Sequence, residues 1–254
     1  PAAQKAFASA LRLVPGDHRA GSQWHMCRRR IDPALPGFRI VDNDFDLATG
    51  LPRDVKVQGF DIEMRLVPPS VFDMGSDSHS DSKPVHTVNV NAFYLGRCEV
   101  TQAQWQAVMG ENPAGHQGER FSESGQMPVE RVSWDDCVRF IHQLNDRVVG
   151  GGFRLPSEAQ WEYACRAGDD TMFRPDDISE FAWYRGNSLR DAGTEGELLE
   201  LDAFSPRPVG RRRANRWGFF DMSGNVGEWC SSLWRPYVYD RRDGREALEP
   251  TTRK

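Results

Sequence analysis

Apolar and polar positions alternate along two stretches of the chain and recur every third or fourth residue along others. Residues 61–76, "DIEMRLVPPSVFDMGS", predict a strand, a break at Pro68-Pro69 and a second strand ending at Gly75. Residues 86–100, "HTVNVNAFYLGRCEV", predict a half-buried strand pair beyond the polar loop "DSHSDSKP". In "EVTQAQWQAVMG", Thr101 is placed to cap a short helix that stops at Gly110. Ser133 predicts a second cap, with Asp136 three residues on as an imperfect capping box. Trp134, Val138, Ile141, Leu144 and Val148 then keep helical spacing until Gly150-Gly151-Gly152 closes the helix. A third helix starts near Ser157 in "FRLPSEAQWEYACRAG", where Trp161, Ala164 and Cys165 share a face spaced to pack inward. Beyond it the chain is loop-rich, apart from "WGFFDMSGNVGEWC" at 217–230. Helices in the middle, with short strands around them and at the later end, predict an α+β fold with little regular structure. Residues 1–55 read as an N-terminal extension carrying one short helix, packed on a single domain at 56–254.

Composition narrows the function classes. A chain of 254 residues buries enough surface to fold without a metal or disulfides for bare stability. Its 23 glycines and 16 prolines favour irregular structure over a helical bundle, and eight Trp and 14 Phe supply large anchors. A net charge of -5 argues against a nucleic-acid partner, which needs a basic face, and Arg211-Arg212-Arg213 reads as a solvated loop. No apolar run approaches the ~20 residues of a membrane-spanning helix. The first residues, "PAAQKAFASALRL", lack an apolar signal core, so an export signal is expected to have been removed already. Cys27, Cys98, Cys137, Cys165 and Cys230 include no CxxC pair, which weighs against a zinc ribbon or a thioredoxin-type site. With an odd number, at least one is free or pairs outside the chain. The six histidines show no HxH or HExxH spacing, and no GxSxG elbow, P-loop or dinucleotide fingerprint is present.

One turn carries candidate chemistry by itself. In "DMSGNVGE", Asp221, Gly224, Val226 and Glu228 occupy positions one, four, six and eight. A glycine-containing turn with a carboxylate at each end can wrap side-chain and carbonyl oxygens around a hard cation. The alternative is a tight turn whose carboxylates cap neighbouring amides.

Five stretches together resemble the formylglycine-generating-enzyme (sulfatase-modifying factor) domain family, a variant of the C-type lectin fold. They are "FDMGS", "EVTQAQWQAVMG", "MPVERVSWDDCVRFIHQLN", "FRLPSEAQWEYACRAG" and "WGFFDMSGNVGEWCS", and their order and spacing match over roughly residues 60 to 235. Within the family, the chain looks most like the periplasmic members that mature the siderophore pyoverdine. That resemblance implies a periplasmic protein whose partner is the siderophore precursor peptide, alongside other periplasmic maturation enzymes. Two alternatives stay open: a non-catalytic lectin-like module that presents the precursor to another oxidase, and a true formylglycine-generating enzyme acting on sulfatases.

The resemblance also implies site residues. The family has a structural calcium site at Asp221, Gly224, Val226 and Glu228, with Asp221 standing where Asn is common. A second site corresponds to Asn187, the Ser188 carbonyl, Asp202 and the Phe204 carbonyl. The "RGGS"-type segment, after which the family places its copper-binding cysteine pair, is not among residues 1–254, so the residues present supply no copper pair and no catalytic residue is assigned. Cys165 matches a family cysteine whose disulfide partner lies beyond Lys254; Cys230 matches neither catalytic position. Gly227 replaces a Trp that often lines the peptide groove, which points to a different substrate. Loops after "GNVGEW" line that groove in the family, making Trp229, Trp234, Arg235 and Tyr237 the candidates for a planar, catechol-bearing chromophore. For Trp229 a place in the core is the competing reading.

Overall fold

The computed structural model describes residues 36–77, 82–169, 178–188 and 205–232. Of the 1–55 extension expected to carry one short helix, residues 1–35 lie outside them and the described part, 36–55, forms no helix; Asp202, Phe204, Trp234, Arg235 and Tyr237 also lie outside. The chain divides into two compact units: residues up to Leu95 with Leu144–Ala164 and the residues from Cys230, and Gly96–Gln143 with Cys165–Trp229.

In the first unit, β1 (Phe38–Ile40), β2 (Asp54–Val57), β3 (Glu63–Val67) and β6 (Phe93–Gly96) form one sheet in the order β1-β2-β3-β6. β1 and β2 are antiparallel with Phe38 opposite Val57, and β2 and β3 are antiparallel with Val55 opposite Met64. The boundary expected at residue 55 therefore falls inside β2, and the segment before it adds strands to the sheet. Short, strongly polar spacing hid those strands from pattern reading. β4 (Ser70–Met74) and β5 (His86–Val90) form a separate antiparallel ribbon, Ser70 opposite Val90 and Met74 opposite His86. Val55, Val57 and Val67 are fully buried, which is what β-branched side chains on the inner face of a pleated surface achieve. Asp54, also buried, receives Arg65 from the neighbouring strand through two hydrogen bonds of 2.7 and 2.5 Å.

The helix α3 (Glu158–Arg166) starts at Ser157, whose hydroxyl accepts from the Gln160 amide at 3.2 Å while Gln160 Oε1 accepts from the Ser157 amide at 3.1 Å. This reciprocal box satisfies two of the amides a helix start leaves open. Its inward face is Ala159, Gln160, Tyr163 and Ala164; Trp161 and Cys165 are only half-buried. The expected face is thus rotated, because Tyr163 packs its ring on Phe72 of β4 at 5.0 Å and fixes the helix about its axis. The Glu162 carboxylate accepts from the Gly75 amide at 2.9 Å, fastening the end of β4. Ser231 donates its amide to the Pro156 carbonyl at 2.8 Å, and Ser232 accepts from the Glu158 amide at 2.9 Å.

In the second unit, α1 (Gln102–Met109) has the predicted limits. Thr101 and Gln104 form a full capping box, and Gly110 ends the helix at φ 83°. The left-handed conformation at Gly110 is one that a side chain would strain. Ser133 and Asp136 exchange the equivalent bonds at the start of α2 (Trp134–Arg147). Leu144 and Val148 are buried as predicted, Trp134, Val138 and Ile141 are half-buried, and Phe140, outside the predicted stripe, is buried in the first half of the helix. The cause is Trp105 of α1, which stacks on Phe140 at 5.0 Å with 11° between the rings. The loop between α1 and α2 is held by buried Gln102, which donates to the His116 carbonyl at 3.1 Å and accepts from Asn112 at 3.0 Å. Glu130 closes the same loop, one carboxylate oxygen accepting from the Gly115 and His116 amides and facing His116 Nδ1 at 3.0 Å. A last short helix, α4, spans Ile178–Phe181. Among the described residues, 205–232 form turns and bends, and the strands expected there are not formed.

Candidate functional site

The turn at 221–228 is built by backbone constraint before any ligand is considered. Asp221 and Asn225 both sit in the left-handed region, at φ 57° and 68°, a conformation that Asn and Asp tolerate better than other side chains. The Asn225 amide donates to the Trp183 carbonyl at 2.8 Å. A Cβ on Gly224 would lie 2.2 Å from that same carbonyl oxygen, so the position requires glycine. Asn225 fastens the turn further: its Oδ1 accepts from the Arg207 amide at 2.8 Å and its Nδ2 donates to the Arg207 carbonyl at 3.1 Å. Preceding residues run beside the segment before α1, since the Phe220 amide donates to the Arg97 carbonyl at 2.9 Å.

Buried oxygen is the notable content of this site. Asp221 is 2% exposed; its Oδ2 accepts from the Gly210 amide at 2.7 Å, while Oδ1 has no hydrogen-bond partner. Glu99 reaches the same turn, its Oε2 accepting from Asn225 Nδ2 at 3.4 Å, and its Oε1 is also buried without a partner. Burial first, then the neighbouring Asp221 and Glu228 carboxylates, pushes the Glu99 carboxyl up to about 9. Burial likewise raises Asp221, against the Gly210 amide and the Arg212 charge. Each buried carboxylate oxygen left without a partner is expensive, on the order of 1–3 kcal/mol. The donor set fits a hard cation that seeks oxygen. Among the described residues, no three His, Cys, Asp or Glu side chains already form a metal-holding group. A cation here would therefore draw also on the Gly224 and Val226 carbonyls, and Glu228, which is exposed, would close from the solvent side.

Asn187 and Ser188 are placed differently. Asn187 Oδ1 accepts from the Tyr184 amide at 2.8 Å and Nδ2 donates to the Ala182 carbonyl at 2.9 Å, bracing its own turn. The Ser188 carbonyl accepts from the Arg207 guanidinium at 3.0 Å, so a positive charge already sits there. Beside them lies an open pocket of about 410 Å³ lined by Trp183, Tyr184, Ser188, Ser205 and Asn225.

Arg211 and Arg213 are exposed, as a solvated loop predicts, pairing with Glu123 at 2.9 Å and Glu180 at 3.3 Å, whereas Arg212 lies over the Trp183 ring, 3.7 Å from its centroid. A guanidinium stacked on indole is worth about 0.5–2 kcal/mol. Trp229 is 49% exposed, and its ring nitrogen donates to the Val132 carbonyl at 3.0 Å. It is a surface aromatic held by one end, not a core residue. Among the described residues, Cys98, Cys137, Cys165 and Cys230 form no disulfide with one another; Cys165 donates to the Met222 carbonyl at 3.3 Å, and burial, reinforced by Asp136, pushes Cys137 up to about 11.

Sequence reading missed Glu99, Arg212 and Asn225. A glutamate two residues before a helix cap carries the ordinary signature of a solvated charge, and only its long-range approach to the turn distinguishes it. For Asn225 a local signal did exist, an Asn after Gly inside a tight turn.

The chain is similar to several characterised proteins. Chaperone protein LppX of Paenibacillus barcinonensis is 32% identical over 207 residues, covering 66% of this chain and 70% of that protein. The formylglycine-generating enzyme of Bos taurus is 25% identical over 233 residues, and the chain spans only 58% of that enzyme's length. The solved structure of PvdO from Pseudomonas aeruginosa superimposes with a TM-score of 0.50 and 26% identity, covering 69% of this chain and 72% of that one. That likeness agrees with the α+β architecture of the formylglycine-generating-enzyme variant of the C-type lectin fold. The sulfatase-modifying factor enzyme 1-like domain matches residues 52–251, and the chain belongs to that family.

Proposed function

We propose that the protein is a periplasmic maturation factor for the siderophore pyoverdine, holding the precursor peptide while its dihydropyoverdine chromophore is oxidised. The observation that carries this reading is the presentation of Trp229, an indole 49% exposed yet pinned through its ring nitrogen to Val132. A ring fixed in advance loses little freedom when a planar catechol-bearing group stacks on it. The choice of substrate is supported by the likeness to PvdO. Trp234, Arg235 and Tyr237, outside the described residues, stay the other candidates of this reading by their residue types, an arginine suiting an oxygen-rich planar group.

Calcium has a structural part in the same proposal. The ion would be held by Asp221, the Gly224 and Val226 carbonyls and Glu228, fixing the turn that carries Trp229. Its chemistry there is charge neutralisation of buried oxygens, without a redox role. Asn187, the Ser188 carbonyl, Asp202 and the Phe204 carbonyl remain the candidates for a second calcium site in this reading, Asp202 and Phe204 lying outside the described residues and the Ser188 carbonyl accepting from Arg207.

A second reading is favoured by the 32% identity to LppX: a client-holding protein that binds its partner without changing it. The two are separated by mixing purified protein with dihydropyoverdine and following the chromophore's absorbance and fluorescence. Conversion that depends on the protein supports maturation. Binding without conversion, alone and with periplasmic extract, supports holding. No binding of the precursor at all removes the siderophore from both.

A further inference from the structure

Next to the residue that pins Trp229, one arginine holds a backbone shape that its own side chain disfavours. Arg131 sits at φ 61°, in the left-handed region, where a residue with a Cβ is strained and glycine or asparagine is the ordinary occupant. Such strain persists where the surrounding structure or the protein's use demands that residue. Burial of the side chain is not the demand, because it is 69% exposed.

The guanidinium is nevertheless held in place. Its carbon and both terminal nitrogens lie 2.2–2.6 Å from the point that a Gly115 Cβ would occupy, so the group rests on bare backbone. Arg131 Nε faces Glu130 Oε2 at 3.4 Å, while the Gly115 and His116 amides serve Glu130 Oε1. One edge of the fork is thereby tethered. The two terminal nitrogens donate to none of the described residues.

The next residue ties this cation to the aromatic surface. The Val132 carbonyl accepts from the Trp229 ring nitrogen at 3.0 Å. A single peptide separates Val132 from Arg131, so backbone dimensions put the Arg131 Cα within about 10 Å of that nitrogen. An extended peptide covers this distance in about three residues.

Resting on the precursor-peptide reading above, we infer that Arg131 is a specificity-determining residue, which selects ligands carrying a carboxylate about three residues from the ring stacked on Trp229. The terminal nitrogens offer two N–H groups to the two carboxylate oxygens, a planar match that a lysine would not reproduce. Glu130 repels such a group less than a bare carboxylate would, since two amides already serve its Oε1. Stacking alone leaves a ring free to turn on the indole face. A second contact on the same ligand fixes its direction along the surface.

The test titrates the full chain calorimetrically with dihydropyoverdine and with two amidated tetrapeptides, 3,4-dihydroxyphenylalanine followed by Gly-Gly-Asp or by Gly-Gly-Asn. The parent is expected to prefer the Asp peptide about fivefold, less so at high salt. Arg131→Gln should remove that preference and leave binding of the Asn peptide unchanged. Arg131→Gly should remove it too, with a melting temperature equal to or above the parent's, because glycine accepts φ 61° without strain. Trp229→Ala should weaken both peptides alike. A parent without the preference overturns the inference, and so does an Arg131→Gly variant that keeps the preference, whatever its melting temperature. Should the parent take dihydropyoverdine but show no preference between the tetrapeptides, the siderophore reading stands and Arg131 falls away. The predicted preference without any binding of dihydropyoverdine leaves Arg131 standing and removes the siderophore. Binding of none of the three overturns both.

Discussion

Asp54 and Asp221 are the same residue type at nearly the same depth, 5% and 2% exposed, and their surroundings treat them in opposite ways. Asp54 faces Arg65 across β2 and β3, with both carboxylate oxygens paired to one guanidinium. Asp221 has one oxygen on an amide and the other on nothing. Burial therefore means different things in the two regions. In the sheet it completes a closed set of partners, and the ladder needs nothing from outside. In the turn it holds an open valence in position against a desolvation cost, which the folded chain tolerates because backbone constraints at Gly224, Asn225 and Phe220 leave the loop no easier shape.

The comparison can be broken at its strongest point first. Gly224→Ala sets a methyl against the Trp183 carbonyl and is expected to cost about 3 kcal/mol or more in urea unfolding, with the calcium-induced stabilisation lost. Val55→Ala, in the sheet, is expected to cost about 2–3 kcal/mol through lost packing. Its calcium response should match the parent's; a weakened response would show that the sheet and the turn are not separable. Glu130→Gln comes next. Burial acts to raise Glu130, but the His116 and Gly115 donors outweigh it and hold the carboxyl below its ordinary range. A lowered carboxyl stabilises the fold above its unfolded value and loses that contribution as pH falls through the folded one. The variant should thus be about 1 kcal/mol less stable at neutral pH, with parent and variant curves converging in acid; parallel curves would assign the loss to packing. Trp229→Ala is the smallest in stability, within about 0.5 kcal/mol. Its effect belongs to the proposed partner, with precursor binding reduced at least tenfold; unchanged binding would place the recognition surface elsewhere.

Local chemistry was legible in the sequence wherever the deciding partners lie within four residues. Thr101 with Gln104, Ser133 with Asp136, and the stop at Gly110 needed no tertiary information, and the strand, proline break and strand at 63–74 needed only alternation. Errors began where a distant residue chose the outcome. Trp105 drew Phe140 into the buried face of α2, and Phe72 turned α3 toward Tyr163. The short strands β1 and β2 carry too few alternations to stand out from a polar segment. At the candidate site the motif gave Asp221, Gly224, Val226 and Glu228, because they are close in sequence. Glu99 had no such signal, since its meaning arises from a pairing between segments remote in the chain.

Asp221 also limits how this position can drift. Its backbone angle admits glycine, asparagine and aspartate with little strain, and its buried oxygen toward the turn can come only from the last two. Geometry and chemistry act as independent filters on one residue, and they leave an alphabet of two letters. Glycine would pass the first filter and fail the second, preserving the turn's shape while emptying it of its charge.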